Sequence, residues 1–458
     1  MSRKLALMTT LIIVFVGMFM LAFTIQSARA SGTIYIRSDG SIEPSGVPVS
    51  THDNITYMLT DNIINTSIVV ERSNITIDGM EYTVDGCGSF ANGFTLSGVN
   101  NVTIKNISIK GFYNSIYLNS TSRILIFRNN IANSTDSGVK LYLSHNNTIY
   151  ENNFSNNFYA LSFRLSSYNT VLANKIMNNK DGVFLDASSE NIISGNNVTH
   201  NGRRGVVLLA SWGNTVSGNR IIDNTNYGVR LYQASNNTVS RNSITHNIYG
   251  AWLFLSSNNE FYQNNFIDNS QHVDIESVAF ANFWDNGFEG NYWSNCTGVD
   301  VDYDGIGDAA HDIYVNNTDN YPLMGMFYSF NTSLGCYVDV ISNSTIESFE
   351  YFESNNTIKL CVSYFSNMTT QSYGFCRVCI PIDLISPPYH IIIDKGQTPV
   401  LNNRTVAENQ THKWIYFAYQ HSIHEIIIVP DFPSFLITSL FMIATLLAVT
   451  VYRIKHSL

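Results

Sequence analysis

Between Asp300 and Asp308 the chain reads Asp-Val-Asp-Tyr-Asp-Gly-Ile-Gly-Asp, with carboxylates at Asp300, Asp302, Asp304 and Asp308. Hard oxygen donors at alternate positions, with a glycine sixth in line to permit a sharp turn, suit a Ca2+ ion, and the Ile306 carbonyl would add a ligand. The twelfth position is His311, followed by Asp312, so the bidentate glutamate that usually completes such a loop is missing. No helix is expected on either side. The reading is a free-standing Ca2+ loop whose ion stiffens the chain; the plainer alternative is an Asp/Gly surface turn.

Two further sets of residues are spaced for joint action. His200, Asp223 and His246 recur in one column that also holds Asn156, Asn178 and Asp268. Imidazole and carboxylate in alternation could hold Zn2+ or Cu2+. The preferred reading is a row of alternating partners that avoids like charges, which makes Zn2+ or Cu2+ the lesser expectation. The second set is aromatic. Ser162, Phe184, Val207, Arg230 and Trp252 form one outward column, and Arg164, Asp186, Leu209, Tyr232 and Phe254 form another two residues on; Tyr117, Lys140 and Tyr142 join upstream. An apolar face of this extent marks an interface. Tyr117, Tyr142, Phe184, Arg230, Tyr232, Trp252 and Phe254 are therefore the expected glycan or partner face, unless the C-terminal domain or another chain covers it. A glycosidase would need two carboxylates about 5–9 Å apart. Asp181, Asp186 and Asp223 fall in different columns, and neither a serine nucleophile elbow nor a phosphate loop accompanies them. A scaffold is favoured over an enzyme.

These columns exist because the chain repeats. Starts at Asn147, Asn169, Asn191, Asn214, Asn237 and Asn259 are each followed five residues later by a second asparagine (Asn152, Asn174, Asn196, Asn219, Asn242, Asn264) and ten residues later by a third (Asn157, Asn179, Asn201, Asn224, Asn247, Asn269). Ile149, Val171, Ile193, Val216, Val239 and Phe261 fill one apolar column between them; Phe154, Ile176, Val198, Ile221, Ile244 and Phe266 fill another. A period this short, rich in β-branched residues, leaves room for three short strands and no helix. Stacking such coils about 4.8 Å apart makes a continuous core, and each amide can bond those above and below it. Asparagine also tolerates the left-handed backbone that turns require. The expected fold is all-β: a right-handed parallel β-helix, then a small C-terminal β-sandwich-like domain and a transmembrane helix.

The 458 residues divide accordingly. Residues 1–30 read as a signal peptide, with Arg3 and Lys4 before an apolar run and Ala28-Arg29-Ala30 as cleavage site. Residues 31–100 read as a cap and first coils, 101–282 as coils, 283–326 as an Asp/Gly-rich capping segment and 327–429 as the β-sandwich-like domain. Residues 435–452 are apolar and end in Arg453, Lys455 and His456, the pattern of a membrane span with a cytoplasmic C-terminus. The rest would then lie outside the membrane, and sequons such as Asn54, Asn74, Asn331, Asn355 and Asn403 fit a glycoprotein. Only 13% of residues are charged and the net charge is −10, which leaves no basic footprint for nucleic acid. A hydrophobic content of 45% argues against disorder. Cys376 and Cys379 have redox-motif spacing but no strand–helix unit around them, so a structural or unpaired role is expected.

The Asn-laddered coils, followed in order by Gly290-Asn-Tyr-Trp-Ser294, the Asp300–Asp308 loop and Asn320-Tyr-Pro-Leu-Met324, resemble the NosD-like periplasmic and archaeal cell-surface β-helix proteins over about residues 70–325. The resemblance implies that the Tyr-Trp-Ser segment and the Asp loop close the helix end, and that copper handling is one possible role. The coils lack a Met- or Cys-rich copper cluster, and the C-terminal domain departs from the pattern. The function expected is a membrane-anchored, extracytoplasmic, non-catalytic surface protein that binds polysaccharide or surface glycoprotein, with structural Ca2+. A polysaccharide lyase or hydrolase is the alternative, and NosD-like copper handling the third reading.

Overall fold

A computed structural model describes residues 32–276, 280–364 and 372–431. The expected signal peptide and transmembrane helix lie outside the described residues. Among the described residues no helix is long and apolar enough to cross a membrane. The chain forms two compact units, one comprising residues up to Asn259 with Asp268–Phe280, the other Glu260–Ile267 with the chain from Ala281 onward.

The first unit is a right-handed parallel β-helix, part of a fold of about ten turns. Its broad sheet stacks the six-residue strands Asn114–Asn119, Ser137–Tyr142, Tyr159–Arg164, Asp181–Asp186, Arg204–Leu209, Tyr227–Tyr232 and Tyr249–Phe254 in parallel register. Two narrow sheets complete each coil with three-residue strands, for example Thr170–Leu172 and Lys175–Met177. Inward residues of all three sheets form one core: Ile149, Val171, Ile193 and Val216, then Phe154, Ile176, Val198 and Ile221, then Leu161, Val183, Val206 and Val229 are completely buried. At the N-terminal end Gly32–Ile36 pairs antiparallel with Ile42–Glu43, and Val49–Thr51 with Thr56–Leu59. These hairpins occupy strand edges that would otherwise be open.

The asparagine rows point inward and are continuous. Asn147 Nδ2 donates to Asn169 Oδ1 at 2.9 Å, and the chain of bonds runs on through Asn191, Asn214 and Asn237 to Asn259 at 3.0–3.1 Å. The receiving oxygen also accepts the backbone N–H of the asparagine one coil back, as from Asn169 to Asn191 at 2.9 Å. Asn169 Nδ2 additionally reaches the Ser144 carbonyl at 3.0 Å. An amide carries two donors and an acceptor oxygen, so an identical neighbour completes it. A hydroxyl row that the repeat alignment did not single out runs beside it: the Ser144, Ser166 and Ser188 amides donate to the hydroxyls of Ser166, Ser188 and Ser211 at 3.0–3.1 Å.

One expectation is corrected. The left-handed backbone belongs to the residue before each ladder asparagine, not to the asparagine itself. Asn146, Glu151, Asn156, Ala173, His200, Asp223 and His246 have φ between 52° and 57°. The ladder side chain has to point inward from extended backbone, so the corner falls one residue earlier.

In the second unit, Asn265–Ile267 pairs in parallel with Tyr292–Trp293, Phe266 stacks on Trp293 at 4.5 Å and Phe261 on Trp284 at 4.4 Å. Asn264 Nδ2 donates to Asn291 Oδ1 at 2.9 Å, the coil pattern again. Two antiparallel sheets follow. One holds Met326–Asn331, Tyr337–Ser342, Tyr373–Pro381, His412–Gln420 and Leu401–Glu408; the other holds Thr345–Phe352, Thr357–Ser363, His424–Pro430 and Tyr389–Ile393. Val338, Val378 and Phe417 from the first and Ile358, Leu360 and Ile426 from the second share one core. Cys376 and Cys379 lie on the same strand three residues apart, so their thiols leave opposite faces and cannot act as a dithiol. Burial pushes the Cys376 thiol up to about 11, which removes its thiolate character.

Candidate functional site

The outward face of the broad sheet carries three columns. Register places Tyr117, Lys140, Ser162, Phe184, Val207, Arg230, Trp252 and Asp274 in one, and Tyr142, Arg164, Asp186, Leu209, Tyr232 and Phe254 in the second, as the spacing predicts. The third column, not recognised as such from the sequence, runs Tyr159, Asp181, Arg204, Tyr227 and Tyr249. Its signal was available, since each of these residues opens a strand and precedes a glycine or alanine. Those small residues are obligatory at the tightest points: a Cβ on Gly182 would lie 2.3 Å from the Gly205 carbonyl oxygen.

Aromatic rings gather at the later coils. Tyr227 stacks on Tyr249 at 5.3 Å, Tyr232 on Phe254 at 5.0 Å, and Trp252 lies 5.9 Å from Phe254 with the planes 13° apart. Arg230 sits within this group, its guanidinium carbon 4.7 Å from the Trp252 ring, 5.5 Å from Tyr232 and 5.6 Å from Tyr227. Trp252 is only 5% exposed, and its indole N–H donates to Glu276 at 3.2 Å. Trp252 therefore props the group from beneath, while Tyr227, Tyr232, Tyr249 and Phe254 keep surface toward solvent. Phe184 belongs to a separate pair with Tyr159 at 5.1 Å, beside Arg204. Tyr117 and Tyr142 share the face but stand apart; Arg164, 3.7 Å from Asp186, lies one coil beyond Tyr142.

The charges on this face are unequal. Asp181, with no exposed side-chain surface, accepts two bonds from Arg204 at 2.7 and 2.8 Å and is also paired with Arg203. Burial alone would raise its pKa, but the two arginines outweigh that and hold it below the usual carboxylate value. Arg230 has the opposite situation: burial, and then the neighbouring Arg204, lower its pKa, and its buried Nε has no hydrogen-bond partner. One coil beyond Trp252, Asp274 is raised by burial and by Glu276.

The His–Asp column lies at a left-handed corner. His200 Nε2 is 3.4 Å from an Asp223 oxygen, His246 Nδ1 is 3.8 Å from the other, and His246 Nε2 is 3.7 Å from Asp268. Each side chain is roughly half exposed, between 41% and 59%. The arrangement is one of alternating partners.

Among the described residues, the group of three or more possible metal ligands whose donor atoms all lie within 4.8 Å of one another is Asp300, Asp302 and Asp304. Asp300 accepts the amides of Asp304 and Gly305, both at 2.9 Å, and Asp304 accepts that of Ile306 at 2.7 Å. Gly305 takes φ 86°, the sharp turn expected of it. Asp308, a further expected ligand, is not in that group. Asp308 turns its carboxylate to the Val301 amide at 2.6 Å, and Ile306 packs with Tyr292 and Leu323. Arg377, 2% exposed, donates to the Asp304 carbonyl at 2.8 Å and lies 3.2 Å from Glu289. Burial raises the Asp300 pKa to about 6 against the two amides, with Asp304 and Asp302 adding to the rise. Three hard carboxylates faced by one guanidinium fit a divalent cation in donor type. The neighbouring motifs interlock through Asp319, which accepts the Asn291 amide at 2.8 Å, the Trp293 indole at 2.9 Å and the Tyr321 amide at 3.1 Å. A Cβ on Gly290 would fall 1.8 Å from its carboxylate oxygen, so the Gly-Asn-Tyr-Trp and Asn-Tyr-Pro motifs are two halves of one lock. Burial lifts Asp319 to about 7.

Residues 155–298 match the model of a family described as periplasmic copper-binding protein (NosD), and residues 45–180 match that of the right handed beta helix region. Among curated protein sequences none matches this one. Solved structures with a similar chain path include the A-module of the mannuronan C-5 epimerase AlgE6 of Azotobacter vinelandii (15% identity, 54% of this chain and 80% of that one, TM-score 0.36). Others are the enzymatically active domain of tailspike protein 2 of bacteriophage CBA120 (11%, 81% and 74%, TM-score 0.41) and pectate lyase Pel9A (16%, 51% and 70%, TM-score 0.34).

Proposed function

We propose that this chain, whose coils belong to the NosD-like right-handed β-helix repeat family, is an extracytoplasmic surface protein that binds glycan on the outward face of its broad sheet. Residues 1–30 would direct export and residues 435–452 would tether it to the membrane. The observation that carries the reading is the ring group around Arg230: Tyr227, Tyr232, Tyr249 and Phe254, held in register by successive coils. Aromatic rings present an apolar surface to the C–H face of a pyranose, and a guanidinium beside them bonds its hydroxyls. Ca2+ held by Asp300, Asp302 and Asp304 would neutralise the acidic turn and stiffen it. In the column of His200, Asp223 and His246 the two imidazoles face the Asp223 carboxylate.

The test is a glycan array probed with the full chain. Tyr232→Ala and Phe254→Ala should each weaken binding of a positive glycan roughly three- to tenfold, the worth of one aromatic contact. Trp252→Ala, at a buried position, tests packing instead. No glycan retained by the wild type, or retention unchanged in the double variant, overturns the reading. A second reading would rest on Asp274, which stands one coil beyond Trp252 with its carboxyl raised by burial and by Glu276, the environment a glycosidase general acid uses. Shortened products from a bound oligosaccharide, lost in Asp274→Asn, would establish hydrolase or lyase activity.

A further inference from the structure

The charge on the face narrows the class of sugar, an inference that rests on the glycan-binding reading above. Three guanidinium groups, Arg203, Arg204 and Arg230, stand within two coils of one another, and the carboxylate among them, Asp181, is fully used by the first two. Of the other acidic groups of the face, Asp186 lies against Arg164 and Glu276 accepts from Trp252, while Asp274 stands two coils beyond Arg230 in the same column. Arg230 thus keeps a buried Nε donor without an acceptor, walled by Tyr227, Tyr232 and Trp252. A guanidinium so placed is stabilised by the ring faces but lacks the planar acceptor that its fork of donors matches best. The same rings that would stack on a pyranose would bring a substituent of that ring to the fork.

We propose that Arg230 is the subsite for the carboxylate of an acidic sugar, so that the face selects a uronate-bearing polysaccharide over a neutral one. Arg203 and Arg204 stay in place behind Asp181 and bias the subsite toward anions. A carboxylate is planar and can place both oxygens on one guanidinium edge.

The experiment compares, by titration with the full chain, a short oligouronide, the same oligomer with its carboxyl groups reduced to neutral alcohols, and a sulfated neutral oligomer. Wild-type protein should prefer the oligouronide to its reduced form by about tenfold or more, a preference that shrinks as salt is raised. Arg230→Gln should bind both within about twofold of each other, at the affinity wild type shows for the reduced oligomer. Arg230→Lys, which keeps the charge but not the fork, should recover only part of the preference. It carries the test alone if Arg230→Gln loses the β-rich circular dichroism of the wild type. Equal wild-type affinity for the charged and reduced oligomers overturns the carboxylate subsite and leaves glycan binding standing. Tighter binding of the sulfated oligomer overturns the assignment to carboxylate. Failure to bind any of the three removes this proposal together with the reading beneath it.

Discussion

Asn147, Asn169, Asn191, Asn214 and Asn237 bury neutral amides, and each finds in the next coil the partners it lacks. In the other unit Asp319 buries its carboxylate and Asp300 and Asp304 half-bury theirs against backbone amides, with the Arg377 guanidinium close to Asp304. An amide both donates and accepts, so identical residues can satisfy one another without limit. A carboxylate only accepts, so a second carboxylate makes its situation worse. The first arrangement can therefore be repeated coil after coil and is indifferent to pH. The second cannot be propagated in that way, and it leaves a charge that a proton or a cation can relieve.

The largest effect should come from breaking a ladder at its middle. The Asn191 side chain takes part in five hydrogen bonds: it accepts from the Asn169 backbone and side-chain amides, and donates to the Ser166 and Ser189 carbonyls and to Asn214 Oδ1. Asn191→Ala strands buried groups on both sides. We expect a loss of about 3–5 kcal/mol in urea unfolding, the range for a broken buried network. Asn191→Asp should be as damaging at neutral pH, because the ladder needs the donor as much as the acceptor. A loss of under about 1 kcal/mol for the alanine variant would show that coils, not amides, set the stability.

The ladders could be read from the sequence because a fixed period converts spacing into contact: residues 22 or 23 apart must touch, whatever else the fold does. The same logic located Arg230, Tyr232, Trp252 and Phe254 on one face. It missed the column that opens each strand, where Asp181 and Arg204 stand in register and are joined at 2.7 Å. It also gave direction without depth, so Trp252 was expected on the surface and is buried by its own neighbours. The lock of Gly290, Asn291 and Trp293 on Asp319 was invisible for another reason. Its halves are 28 residues apart at Asn291 and occur once, and no repetition marks them as partners. The ligand loop was legible as a motif, but which carboxylates converge depends on backbone bonds such as Val301 to Asp308.

A smaller effect should separate the two arrangements by pH. Asp300 and Asp319 have folded-state pKa values raised to about 6 and about 7, each first by burial. Raised carboxyl groups bind protons more tightly in the folded chain, so their contribution is complete below the unfolded value near 4 and is lost as pH rises through 6 and then 7. Metal-free protein should therefore melt at a lower temperature at pH 8 than at pH 5.5. Asp300→Asn should remove the part of the change centred near pH 6 and leave that near pH 7. Millimolar Ca2+ should restore the melting temperature above pH 6 in the wild type and not in Asp300→Asn, since the ion competes with the proton for the same oxygens. A flat pH profile without Ca2+ would mean that these carboxylates are solvated and the contrast with the ladders is false.

The smallest effect is expected on the outside of the coils, where charge alternates without burial. His200, Asp223, His246 and Asp268 sit 3.4–3.8 Å apart with about half of each side chain in water. Exposed pairs of this kind are worth about 0–1 kcal/mol, because solvent screens them and ordering the side chains costs entropy. His200→Ala with His246→Ala should change unfolding by less than about 1 kcal/mol, several times less than a single ladder asparagine. Calorimetric titration of the same double variant with Zn2+ and Cu2+ sharpens the point. If the column is only a row of alternating partners, wild type and variant should give the same weak isotherm. A micromolar site present in the wild type and absent from the variant would make the column a metal-binding edge, and the outside of the coils would then respond to cations as proposed for the Asp loop.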